Sequence, residues 1–104
     1  MTMTVWFVSR HRGAQQWAAD EGFAVDRLIT HLDPASIAAG DVVIGSLPVN
    51  LAAEVCARGA RYLHLSLPLP PELRGKELSA DDLRRLGASL REFQVSAVAT
   101  PPTH

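Results

Sequence analysis

Short apolar runs that are typical of β-strands alternate with amphipathic segments that are typical of helices along most of this 104-residue chain. One run, residues 41–45, reads Asp-Val-Val-Ile-Gly and is continuously apolar at its centre. That pattern is expected of a strand that is buried on both faces of a parallel sheet. Strand–helix alternation also favours right-handed crossovers and a sheet that is covered by helices. We therefore predict an α/β fold in three layers, with about five strands in a parallel sheet and helices on both faces.

Local signals set the predicted boundaries of these elements. Gly22 and Gly59 stand where a left-handed residue would close a helix, and Asp33-Pro34 can begin a single helical turn. Ser79 can cap a last helix whose first turn is acidic. The apolar stripe predicted for that helix consists of Leu83, Leu86, Leu90 and Phe93. The predicted strands are residues 4–8, 23–29, 41–45, 61–67 and 94–100, and the predicted helices are residues 14–21, 48–58 and 79–93.

The length and the composition limit the class of protein. A chain of 104 residues does not hold two independent cores, so we expect one domain over residues 1–104, with about 100–104 as a frayed tail. The single cysteine excludes an internal disulfide framework. No apolar run approaches the roughly 18 residues of a membrane-spanning helix. The first residues also lack the pattern of a signal peptide. We expect a reducing, cytoplasmic location and no membrane partner.

The charge balance bears on the partner. Ten basic and eleven acidic residues give a formal charge of −1, which does not favour binding to long nucleic acid. Nine of the ten basic residues are arginine and one is lysine. Two explanations of this ratio remain open. One is a skewed genome composition, and the other is that some arginines bind phosphate with their bidentate guanidinium group.

Three loops follow the carboxyl ends of predicted strands: residues 9–13, 46–50 and 68–78. Open parallel sheets bind ligands outside those ends, at the point where the strand order reverses. The three loops are therefore expected to share one rim. The last of them is bounded by prolines and is long for a small domain, which is common among functional loops. Their serines, arginines and lysine indicate a phosphorylated ligand.

The first loop contains the candidate catalytic residues Ser9, Arg10 and His11, with Arg12 and Gly13 as candidate ligand-binding residues. A helix N-terminus after the loop would offer N–H groups to an anion. Arginine adds positive charge, and histidine moves protons near neutral pH. The alternative is a solvated polar turn. The loop is neither a P-loop nor a dinucleotide fingerprint, because it lacks the required Gly-Lys-Ser/Thr and glycine patterns.

The second and third loops supply further candidate ligand-binding residues. Ser46 and Asn50 could contact a phosphate or a base, whereas the alternative for Ser46 is ordinary capping of the helix that contains Pro48. Arg74 and Lys76 could close over a bound anion, and the alternative for them is a solvated surface loop.

We expect neither a metal nor a cofactor. The histidines at positions 11, 31, 64 and 104 show no pair spacing that is typical of zinc. His31 and Asp33 form one weak pair, which a turn before Pro34 explains better. His64 is expected to be a half-buried or buried, hydrogen-bonded residue within a strand. No nucleophile elbow or paired-carboxylate spacing is present.

Four strings stand in order along the chain: Phe7-Val-Ser-Arg-His-Arg-Gly-Ala14, His31-Leu-Asp-Pro34, Gly40-Asp-Val-Val-Ile-Gly-Ser-Leu-Pro-Val-Asn-Leu-Ala52 and Glu72-Leu-Arg-Gly-Lys-Glu-Leu78. In combination they resemble a small family of CRISPR-associated accessory proteins of type III systems, the VVA1548-type family. The resemblance extends from about residue 4 to residue 93.

The resemblance implies a Rossmann-like (CARF-like) domain, related to the sensor domains of type III effectors, that acts as a ring nuclease. Such a protein is a homodimer that binds a cyclic oligoadenylate, here expected to be cyclic tetra-adenylate, and makes it linear. The antiviral signal is thereby switched off. We expect metal-independent attack by a ribose 2′-OH, which leaves linear adenylates with 2′,3′-cyclic phosphate ends. In that mechanism Arg10 or Arg74 stabilises the phosphoryl oxygens, and His11 is a general base or acid.

Two other functions remain open at this point. A binding protein could sequester the cyclic nucleotide without cleaving it, because the same rim serves both purposes. A Rossmann-like interaction protein would bind no small ligand at all.

Overall fold

One open sheet of five strands organises residues 3–98, the part of the chain that the computed structural model describes. Two 3₁₀ turns, Pro34–Ser36 and Pro71–Leu73, interrupt the connections. The strands are β1 (Val5–Val8), β2 (Arg27–Ile29), β3 (Val42–Gly45), β4 (Arg61–Ser66) and β5 (Ser89–Phe93), and the helices are α1 (Arg12–Asp20), α2 (Val49–Ala57) and α3 (Ala80–Leu86).

The strand order is β2-β1-β3-β4-β5, and the first four strands run parallel. The last pair, β4 with β5, is antiparallel. This arrangement confirms the predicted α/β class with five strands and is compatible with a Rossmann-like fold. It departs from the prediction at the edge strand β5, which is antiparallel to its neighbour and lies at a different place in the sequence.

Alternation along the strands divides the core between the two faces of the sheet. Trp6 and Phe7 are neighbours in β1 but belong to different buried clusters, because successive side chains of a strand point to opposite faces. The cluster that includes α1 and α3 contains Phe7, Ala14, Trp17, Ala18, Val42, Ile44, Leu78 and Leu83. The cluster that includes α2 contains Trp6, Ile37, Val43, Ala52, Val55, Ala60 and Tyr62. The predicted three layers are therefore confirmed.

Asp41 fastens the starts of the two central strands together. It is buried, and its carboxylate accepts hydrogen bonds from the Thr4 N–H at 3.0 Å, the Trp6 indole N–H at 3.1 Å and the Ala38 N–H at 3.0 Å. Burial acts to raise the pKa of Asp41, but these three donors together outweigh it, so the pKa is lowered. A charged side chain is stable at this position because each of these bonds favours the ionised form.

The prediction for the end of the chain is wrong. The last helix stops at Leu86, because Gly87 adopts a left-handed conformation (φ 83°) and ends it. Leu90 and Phe93 lie in β5, not on a helical stripe. In a strand, two side chains that are three residues apart lie on opposite faces, so Leu90 and Phe93 do not form the single apolar face that their helical spacing indicated. Residues 94–98 form no strand, and the rest of the predicted strand and the predicted tail lie outside the described residues.

The other elements agree with the sequence apart from their ends. The second strand is shorter than residues 23–29 and begins at Arg27. The Asp33-Pro34 turn is confirmed, with the Asp33 carboxylate accepting from the Ala35 N–H at 3.1 Å. Ser79 and Asp82 form a capping box at the start of α3, as its sequence indicated. Among residues 3–98, no helix is long and apolar enough to cross a membrane.

Replacing Asp41 by Ala leaves the buried Trp6 indole N–H and the part-buried Thr4 and Ala38 N–H groups without their acceptor, and we expect the free energy of unfolding to fall by about 3 kcal/mol. Chemical denaturation at pH 7 measures this loss.

Because the folded pKa of Asp41 lies below the usual 3.8, the contribution of Asp41 to stability is fully present above pH 3.8 and disappears as the pH falls through the folded pKa. The stability difference between the wild type and Asp41→Asn should therefore shrink in acid. A difference that stays constant from pH 7 to pH 2 would contradict this role.

Candidate functional site

The strand order reverses between β1 and β3. From β1 the chain continues through α1 to β2 on one side, and from β3 it continues through α2 to β4 on the other. Because α1 and α2 cover opposite faces, a crevice opens between the ends of β1 and β3, which is where open α/β sheets bind ligands.

The two strand ends approach each other closely at this crevice. Val8 and Gly45 are register partners, and a Cβ atom on residue 45 would lie 2.8 Å from the Val8 carbonyl oxygen. Glycine is therefore required at position 45. Since Ser9 and Ser46 follow these two residues directly, the close approach brings the first and second loops side by side.

A pocket of about 570 Å³ lies at the crevice and contacts all three loops that the sequence indicated. The predicted shared rim is thus present. The polar and charged residues of its lining are Ser9, Arg10, His11, Thr30, His31, Ser46 and Lys76. The apolar remainder is dominated by leucine, at positions 32, 47, 51, 65, 67, 69, 78 and 83.

Five of the nine predicted site residues line this pocket, namely Ser9, Arg10, His11, Ser46 and Lys76. The other four do not. Arg12 is exposed at the start of α1, and Arg74 is exposed beside Gly75, which does line the pocket. Asn50 lines a second groove of about 540 Å³, between α2 and residues 94–97.

Gly13, the fourth, has a packing function that explains it without a ligand. It is buried, and a Cβ atom there would lie 1.8 Å from the carbonyl oxygen of Leu78. Its absent side chain lets α1 press against the end of the third loop. Because Leu78 lines the pocket, Gly13 shapes the site indirectly.

The charges of the pocket are of one sign. Its lining includes Arg10 and Lys76 and no carboxylate, and in the described part of the chain neither cation has an acidic side chain within 4.0 Å. By contrast, Arg61, Arg84 and Arg85 are all paired with acidic residues elsewhere. Unpaired cations above an aliphatic floor fit a ligand that has both anionic groups and flat apolar groups.

Ser9 orders the first loop. Its hydroxyl oxygen accepts from the His11 N–H at 3.0 Å, and its own N–H donates to the Ile29 carbonyl at 3.0 Å. His11 then occupies the N-cap position of α1. The Ser9 hydroxyl thus accepts a hydrogen bond from the protein backbone. Its own proton remains available to donate to a ligand.

Ser46 does not cap α2, which corrects that alternative. The N-cap residue is Pro48, and the Ser46 hydroxyl instead donates to the Leu65 carbonyl at 2.7 Å. Its proton is therefore engaged by β4, so Ser46 can meet a ligand as an acceptor in this arrangement.

Tyr62 holds the backbone on both sides of Ser46, a contact that the sequence did not indicate. Its buried hydroxyl accepts from the Leu47 N–H at 2.9 Å and lies 3.2 Å from the Gly45 carbonyl, to which it can donate. The same oxygen lies 2.6 Å from Nδ1 of His64, which confirms the expected half-buried, hydrogen-bonded histidine. Burial raises the pKa of the Tyr62 phenol, so the hydroxyl keeps its proton.

His31 and Thr30 also line the pocket although neither was among the predicted site residues. The signal was present in the sequence, because β2 is parallel to β1 and its carboxyl end reaches the same edge of the sheet. Including the loop that follows β2 in the predicted rim would have identified both Thr30 and His31.

The chain is similar to CRISPR-associated proteins: the family described as "Putative CRISPR-associated protein (Cas_VVA1548)" matches residues 6–96. The chain belongs to this VVA1548 family, as the four strings indicated. The matched span includes strands β2 to β5, all of β1 except Val5, and every residue that lines the pocket. Neither the curated proteins nor the solved structures include a match to the chain.

Replacing Tyr62 by Phe removes only the hydroxyl, so the Leu47 N–H loses its acceptor. We expect hydrogen exchange at the Leu47 amide to accelerate about tenfold, which corresponds to a bond worth roughly 1.4 kcal/mol. NMR measures that exchange, with the Val43 amide of the central strand as the internal control. Equal acceleration at Val43 would indicate general destabilisation and contradict a local role.

Proposed function

We propose that this protein is a metal-independent ring nuclease that binds cyclic oligoadenylate, most specifically cyclic tetra-adenylate, and cleaves it to linear adenylates. The observation that carries this proposal is the pocket at the reversal of strand order, in a member of a CRISPR-associated family. Its unpaired cations suit phosphates, and its leucines suit adenine rings. In this proposal residues 1–104 act as one domain in the cytoplasm, and cleavage switches off an antiviral signal.

The form of the ligand favours a dimer. Pockets of this size typically enclose a drug-sized ligand, and a ring of four nucleotides is larger than that. Two copies related by a two-fold axis would present the same pocket twice to a ring that can adopt the same symmetry. We therefore propose that a homodimer shares one ring between its two pockets.

Cleavage needs no group from outside the ligand and this chain. The 2′-oxygen of a ribose attacks the adjacent phosphorus, the bond from phosphorus to the 5′-oxygen breaks, and a 2′,3′-cyclic phosphate remains. The protein must align these atoms and stabilise the charge that develops on the phosphoryl oxygens. Arg10 suits the second task better than Arg74, because Arg10 lines the pocket and Arg74 does not. Lys76 adds charge, and Ser9 has a free proton to donate.

His11 is the proposed proton-transfer residue of the first loop, since it lines the pocket and is adjacent to Arg10. Ser46 would help to orient the ribose or phosphate as an acceptor. Arg12 and Asn50, which lie outside the pocket, are proposed to meet parts of the ring that extend beyond it.

A first experiment mixes the full chain with a tenfold excess of cyclic tetra-adenylate in EDTA and analyses the products by mass spectrometry. We expect linear adenylates with cyclic phosphate ends, in excess of one equivalent per site. Recovery of intact ring after tight binding and denaturation would instead support a sequestering protein. Absence of both binding and cleavage would contradict the proposed ligand and favour an interaction protein.

Replacing Arg10 by Ala should weaken binding of cyclic tetra-adenylate about tenfold to hundredfold, because a charge-assisted hydrogen bond contributes roughly 1.5–3 kcal/mol. Titration at fixed ionic strength measures the dissociation constant. Arg58→Ala is the matched control, since Arg58 is an exposed arginine at the end of α2 that does not line the pocket. Equal affinities for the two variants would remove Arg10 from the site.

A further inference from the structure

The pocket holds a second histidine on a different strand end. His31 follows β2 by two residues, and His11 follows β1 by three. Val8 and Ile29, the last residues of these strands, are register partners, and neighbouring strands lie about 4.8 Å apart. Both residues line the pocket.

The position of His31 is fixed on both sides. The Ile29 carbonyl before it accepts from the Ser9 N–H, which ties the end of β2 to the loop that bears His11. After it, Leu32 packs against the core on the α2 face, and Asp33 caps the 3₁₀ turn. The backbone that carries His31 is therefore held at a defined place on the rim.

The rings of His11 and His31 take no part in the hydrogen bonds or ion pairs of the described residues. Across residues 3–98, neither His11 nor His31 has a side-chain hydrogen bond or an ion pair, and both side chains are exposed. His64 differs, because its Nδ1 contacts the Tyr62 hydroxyl and its ring packs against Phe93. The two histidines that line the pocket are therefore the ones whose rings have no partner within residues 3–98.

The proposed cleavage requires two proton transfers at different places. An in-line displacement has its attacking and leaving oxygens on opposite sides of phosphorus, so a single ring does not serve both at once. We infer that His31 is a catalytic residue that divides the two proton transfers with His11. This inference rests on the proposed function.

The step is balanced by these two side chains alone. One neutral imidazole takes the proton of the 2′-OH as the bond from the 2′-oxygen to phosphorus forms. The other, protonated imidazole gives its proton to the 5′-oxygen as the bond from phosphorus to that oxygen breaks. The two rings exchange protonation states, and hydrolysis of the product is not required.

Single-turnover cleavage of cyclic tetra-adenylate by the full chain tests this assignment. His31→Ala should slow cleavage about 10²–10⁴-fold, as His11→Ala should, because each removes one general acid or base. Affinity should change by no more than about threefold, since neither ring holds the ligand in place. His31→Gln repeats the test with a polar side chain of similar size, and Arg58→Ala again serves as the control.

A substrate with sulfur in place of the bridging 5′-oxygen separates the two roles. Sulfur leaves without a proton, so the variant that lacks the general acid should recover its rate, whereas the variant that lacks the base should stay slow. Recovery by either variant alone supports the division and assigns the acid. Recovery by both or by neither overturns it.

The failure of this inference is distinguishable from the failure of the proposed function. A wild type that cleaves the ring while His31→Ala keeps its rate within about threefold overturns only the role of His31. A wild type that makes no linear product overturns the nuclease and the role of His31 together.

Discussion

The parallel pairing of β1 with β3 is the constraint on which the rest of this structure depends. Buried Asp41 fixes its beginning, where one carboxylate accepts from Thr4 before the first strand, from Trp6 within that strand and from Ala38 before the third strand. Gly45 fixes its end, where a side chain would collide with the Val8 carbonyl. Because the register is set at both ends, a shift of one residue would place the alternating side chains on the wrong faces. The same register determines that Ser9 and Ser46 emerge side by side.

Each loop that follows one of these two strands is hydrogen-bonded to a neighbouring strand. Side chains that are far apart in sequence therefore come together in one pocket. The Ser46 hydroxyl is bound to Leu65 of β4, and the Tyr62 hydroxyl of that strand holds Leu47. On the other side, the Ser9 N–H is bound to Ile29 of β2. Gly13 lets α1 contact Leu78 at the end of the third loop. Each strand that neighbours the central pair thus supports the loop of the adjacent strand, and the rim is positioned by the sheet.

The sequence predicted those parts of the fold that short-range patterns determine. The buried β3, the Asp33-Pro34 turn and the Ser79 cap depend on neighbouring residues only, and all three are present. Leu90 and Phe93 were assigned to a helix because their spacing fits one. They lie in a strand because the left-handed Gly87 ends the helix before them and because their segment pairs with β4. The contacts of Tyr62 with residues 45 and 47 depend on strand register, which the pattern of one strand does not specify. His31 was missed for another reason, since the end of β2 was not counted as part of the rim.

The distribution of ion pairs shows how a chain with a formal charge of −1 can present positive charge at one place. Arg61 pairs with Glu92, Arg84 pairs with Asp20 and Asp81, and Arg85 pairs with Asp82, so four of the eleven acidic residues lie beside cations away from the pocket. Such exposed pairs add little stability, but they cancel charge locally. Because Arg10 and Lys76 line the pocket and no carboxylate does, the charge on the pocket lining is positive although the total charge is −1. A near-neutral protein arranged in this way carries positive charge at its pocket without being basic over its whole surface.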